Sequence, residues 1–72
     1  MKVVVIIEGN DREGYGCWPE ESMPYCSPIG HGETLEECKK DFIQCLDEIQ
    51  EWSREDGVEV PVVTDIEWRM AS

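Results

Sequence analysis

The chain reads as a single α+β domain: one long amphipathic helix packed on one face of a four-stranded mixed sheet, in the order β-β-β-α-β. Three observations predict this. An unbroken β-branched run opens the chain at Val3 to Ile7. Apolar residues recur at three and four from Leu35 to Ser53. A closing segment, Val60 to Met70, alternates apolar and polar residues with period two.

In the first strand Val3, Val5 and Ile7 occupy one face and Val4 and Ile6 the other. Both are apolar, which predicts a central strand covered on both sides. Gly9 to Gly14 is a polar turn, and Tyr15 to Trp18 returns as a second strand that Pro19 ends. After a loop over Glu20 to Pro24, Tyr25 to Gly32 is a third strand. Pro28 and two glycines assign it to an edge. Thr34-Leu35-Glu36-Glu37 is a capping box: the Thr34 hydroxyl accepts from the Glu37 N–H, and the Glu37 side chain reaches back to the Thr34 N–H. Leu35, Cys38, Phe42, Cys45, Leu46, Ile49 and Trp52 or Ser53 form the inner helix face. Gly57 stops the helix shortly after Glu55. In the last strand Val60, Val62, Thr64, Ile66, Trp68 and Met70 form the inward phase, and Pro61, Val63, Asp65, Glu67 and Arg69 the outward one. A right-handed crossover lays this strand beside the first and parallel to it, giving sheet order 3-2-1-4. One helix cannot cover both faces of such a sheet, so a second copy or a docked protein is expected on the other.

The net charge is -11 over 72 residues, from 17 acidic and 6 basic side chains. Phosphate recognition needs clustered Lys and Arg, so direct nucleic-acid binding is not expected and a basic protein is the natural counterpart. No stretch is apolar enough over ~20 residues to span a membrane. The opening apolar run ends at Glu8 with no cleavage site after it. A cytoplasmic location is therefore expected.

No catalytic, cofactor or metal site is expected. The cysteines at 17, 26, 38 and 45 form no CxxC pair. Cys17, Cys26 and His31 lie in one strand-rich region and could form a site, but small core thiols and a surface histidine are the simpler reading. Cys26 or Ser27 beside His31 lacks an orienting group for nucleophilic chemistry. In GHGET two glycines precede a helix, but no Lys follows, and Glu33, Glu36 and Glu37 repel an anion. A carboxylate set of Glu8, Glu37 and Asp65 is the remaining route to metal-dependent nuclease chemistry. It is disfavoured because Asp65 lies on the polar phase of its strand.

MKVVVIIE, an aromatic-rich second strand closing in CWPE, and MPYCSPIGHGETLEEC leading into an acidic helix together resemble the HicB antitoxin family. The matching residues are Pro19, Glu20, Pro24, Gly32, Glu33, Thr34, Glu36 and Glu37. The resemblance runs over nearly the whole chain, with Pro24-Tyr25 where the family has Pro-Gly. It implies one HicB-like domain over residues 1–72 and a partial ribonuclease H-like fold; the C-terminal DNA-binding domain that many members carry is not expected here. It also implies an antitoxin that binds and neutralises a small basic HicA-type, mRNA-cleaving toxin. The alternative is an oligomeric HicB-like interaction module, a dimer or higher, with a different partner. The residues expected to meet a partner are Glu36, Asp47, Glu48 and Glu51 on the helix, with Trp18 and Trp68 on the sheet.

Overall fold

A computed structural model describes residues 2–21, 28–57 and 62–71. The elements are β1 (Lys2–Asn10), β2 (Gly14–Pro19), β3 (Gly30–Gly32), α1 (Leu35–Asp56) and β4 (Asp65–Met70). The sheet order is β3-β2-β1-β4. β2 is antiparallel to β1 and to β3, and β4 is parallel to β1. The fold is thus α+β with the mixed order expected from the sequence.

The strand boundaries differ from the sequence reading for reasons of pairing. β1 runs on to Asn10 because its partner continues to Gly14. The Asn10 Oδ1 then accepts from the N–H groups of Arg12 and Glu13, at 2.9 and 2.8 Å, and closes the hairpin loop. β3 is much shorter than the expected Tyr25 to Gly32; its first part lies outside the described residues. The register Cys17↔Gly30 would set Pro19 opposite Pro28 two steps further on, and neither has an N–H to donate. β4 begins at Asp65 rather than Val60, since Asp65 already pairs with Lys2, the first residue of β1. Val58 to Pro61 lie outside the described residues.

The core lies between α1 and the sheet. Val3, Val5, Ile7 and Cys17 contribute from the strands, and Cys38, Phe42 and Leu46 from the helix. Trp68 and Ile66 flank it from β4, and the Phe42 and Trp68 rings meet edge to face with centroids 5.7 Å apart. Thr34 caps the helix by accepting from the Glu37 N–H at 3.1 Å. The return bond is shifted by one residue: Glu37 Oε2 accepts from the Glu33 N–H at 3.0 Å instead of that of Thr34. Gly57 closes the other end at φ 71°, with its N–H on the Ser53 carbonyl.

Helical geometry also settles the ambiguity at the end of the inner face. Ser53 lies only ~20° around the helix from Phe42, whereas Trp52 lies ~80° away. Ser53 is accordingly buried and Trp52 is 45% exposed.

The two glycines of GHG have a packing role. A Cβ on Gly30 would stand 2.6 Å from the Cys38 carbonyl oxygen and 2.8 Å from the Phe42 Cβ. One on Gly32 would stand 2.7 Å from the Glu37 Cβ. The helix rests directly on the β3 backbone, so both helix-facing positions are glycine. His31 between them is exposed and points to the other side of the sheet.

Candidate interaction surface

The helix turns one face to solvent along its whole length. Glu36, Asp47, Glu48 and Glu51 are all exposed on it, as the sequence predicts, together with Glu37, Glu55 and Asp56. From Asp41 to the helix end there are six carboxylates and one base, Arg54. Among the described residues, the ion pairs belong to the sheet. Lys2 meets Glu67 at 3.2 Å, Arg69 meets Glu20 at 3.5 Å, and Arg69 also binds Glu67. No helix carboxylate takes part in them. The Arg69 and Lys2 bonds hold the Glu67 carboxyl below the usual carboxylate range.

Two apolar side chains interrupt the acidic surface at its margins. Trp52 sits one turn after Glu48, and Ile43, 42% exposed, lies on the other flank. Three-and-four spacing alone admits either Trp52 or Ser53 to the inner face. The 3.6-residue period separates it from Ser53 once Phe42 is taken as the centre of that face.

The opposite face of the sheet carries Val4 and Ile6, both half-buried, beside the 39% exposed Trp18. Ile6 pairs with Trp18 on one side and Arg69 on the other, so the three form one row. The ion-pair chain Lys2–Glu67–Arg69–Glu20 borders this apolar patch. Among the described residues no element lies over it, so within one chain β1 is covered on the helix side only.

Trp68 stands elsewhere. It is on the helix side, half-buried against Phe42, with the Lys39 ammonium 5.4 Å from its ring centre. Its alternation with Glu67 and Arg69 puts it on the same face as Val5, its neighbour in β1. Trp18 and Trp68 thus stand on opposite faces of the sheet, and the inner part of the Trp68 indole packs against the chain's own core while its other flank stays open.

The residues considered for catalysis are not brought together. Cys17 is buried under the helix, whereas His31 is exposed on the other face; Cys26 lies outside the described residues. Asp65 pairs with Lys2, and Glu8 stands six residues further along β1, ~20 Å away at strand spacing. Glu37 belongs to the helix, across the sheet from both. Among the described residues no group of three or more His, Cys, Asp or Glu could hold a metal ion. No helix among them is long and apolar enough to cross a membrane.

Cys17 and Cys38 face each other across the core with sulfurs 3.3 Å apart. Burial, together with the hydrogen bond to Cys38, pushes the Cys17 thiol up to about 12. Both thiols are expected to resist iodoacetamide at pH 8 in the folded protein, while the partly exposed Cys45 reacts. Peptide mapping of the labelled sites checks this; rapid labelling of Cys17 would mean that the helix does not stay docked.

Comparison with protein-family models, with curated proteins and with solved structures gives no match.

Proposed function

We propose that this chain is a non-enzymatic, HicB-like antitoxin of the cytoplasm, which sequesters a small basic toxin of the HicA kind. The observation that carries this reading is the acidic face of α1, where exposed carboxylates have no basic partner among the described ion pairs. Such a surface raises the local concentration of a cationic protein and speeds its encounter. The placement of the charge adds support. Glu55 and Asp56 stand in the last helical turn, where they oppose the helix dipole. Acids kept where they destabilise the helix fit a surface shaped for a partner. Trp52 at the margin of this face supplies the kind of aromatic anchor on which interface energy concentrates. The order of elements agrees with the partial ribonuclease H-like fold that the family resemblance implies.

The test starts from co-expression. The tagged chain is produced with the small basic protein encoded beside its gene, and growth and complex formation are followed. Growth arrest by that protein alone, relieved by this chain with a stable complex recovered, is the expected result. With the complex in hand, neutralising Asp47, Glu48 and Glu51 together to Asn, Gln and Gln is expected to lower kon at least tenfold at low salt. The difference from wild type should shrink as salt rises. Equal association rates would remove the acidic face from the mechanism. Failure of the neighbouring protein to arrest growth or to bind this chain would favour the second reading: an interaction module with another partner. The uncovered patch of Val4, Ile6 and Trp18 is the observation behind that reading.

A further inference from the structure

The two edges of the sheet are unlike. β3 has three residues, two of them glycine, and the N–H of His31 is already taken by Asp41 Oδ2 at 2.9 Å. That edge is short and blocked. β4 has six residues and, among the described residues, no strand lies beyond it. The Ala71 N–H donates to the Ile7 carbonyl at 2.7 Å. Backbone direction alternates along a strand, so Asp65, Glu67 and Arg69 also direct their N–H and C=O groups toward β1. Those of Ile66, Trp68 and Met70 point away from the sheet, where a further strand could bind them.

The side chains of this edge are complementary to themselves. Around Trp68 the sequence is Ile66, Glu67, Trp68, Arg69, Met70. Two copies laid antiparallel with Trp68 at the two-fold axis set Glu67 opposite the partner's Arg69 and Ile66 opposite the partner's Met70. The same holds in reverse, as an isologous contact requires. Trp68 meets its own counterpart. Opposite residues of an antiparallel pair share a face, so all the apolar side chains stay on the helix side and all the charged ones on the other. The residues that would exchange backbone bonds are Ile66, Trp68 and Met70, whose groups already point outward. No nearby register does as well. A shift of two residues in one direction brings Glu67 against itself. A shift of one sets Ile66 against Arg69 and turns the second helix to the opposite face.

We propose that β4 is a self-association edge: two copies of this chain pair antiparallel about Trp68, with Glu67 and Arg69 of each opposite their counterparts in the other. The product is one continuous eight-stranded sheet with both helices on one side. It covers Met70, 49% exposed in the single chain, and the open flank of Trp68. The acidic face of each helix remains free, so the inference does not depend on the identity of the helix partner.

Charge reversal across the two-fold axis tests it. In sedimentation equilibrium the wild-type chain is expected to approach twice its 8.3 kDa mass with rising concentration. Arg69→Glu sets four carboxylates around the axis and Glu67→Arg sets four cations there; each should weaken self-association at least tenfold. Mixing the two variants restores opposite charges at every pair, and the mixture should dimerise as wild type does. That recovery cannot come from a variant that merely fails to fold. Three results would overturn the proposal: a wild type that stays monomeric up to its solubility, a dimer indifferent to both reversals, or single variants that remain monomeric when mixed.

Discussion

Phe42→Ala is expected to cost about 3–5 kcal/mol and to leave most of the chain unfolded under conditions where wild type is folded. Phe42 is fully buried and is the largest side chain so enclosed. It spans the width of the sheet, touching Trp68 of one edge strand edge to face and lying against the Gly30 backbone of the other. Loss of the ring removes its transfer free energy and leaves a cavity that the surrounding strands cannot close. A domain of this size buries only about 60% of its unfolded surface and has little stability in reserve. The control is the next residue. Ile43→Ala removes a side chain that is 42% exposed and lies outside the core, and should change stability by no more than about 0.5 kcal/mol. Urea denaturation followed by far-UV circular dichroism compares the two. Equal midpoints would show that α1 docks with another face inward.

Gly30→Ala is the second large effect, expected to destabilise by roughly 1–3 kcal/mol although it adds a single methyl group. In an ordinary strand this exchange is favourable by roughly 0.5–1 kcal/mol, because alanine loses less backbone freedom on folding. Here the new carbon would stand 2.6 Å from the Cys38 carbonyl oxygen, 2.7 Å from the Cys17 Sγ and 2.8 Å from the Phe42 Cβ. One of these is backbone and the others belong to fully buried residues, so none moves aside without opening the helix–sheet contact. The overlap therefore outweighs the entropic gain. His31→Ala, one residue away and on the exposed face, should leave the melting temperature nearly unchanged. A Gly30→Ala variant as stable as wild type would mean that the helix does not rest on β3 at this distance.

The candidate surface was legible where it depended on helical period alone. Glu36, Asp47, Glu48 and Glu51 fall on the outer side of any helix whose inner face is centred on Phe42, and the structure exposes all four. Trp18 was legible for a similar reason, since in β2 it alternates with the buried Cys17. Trp68 was not. Its inward phase could be read from the period-two pattern, but the depth at which it sits is set by Phe42, which arrives from an element far away in sequence. Trp52 was not legible either, because both it and Ser53 satisfy a loose three-and-four spacing.

By itself the sequence determined what local periodicity, capping and turn chemistry can specify. Those forces act between residues a few positions apart, so the element types, the Thr34 and Gly57 helix ends and the inner faces of β1 and α1 followed from them. The 3-2-1-4 order followed as well, once crossover handedness was added to that list. Tertiary structure alone decided how far each strand runs, because a strand ends where its neighbour can no longer supply hydrogen bonds. It also decided that Gly30 and Gly32 are contact surfaces for the helix and not only marks of an edge strand. Close approach of two backbones depends on atoms from distant segments, and no local pattern encodes the distance between them.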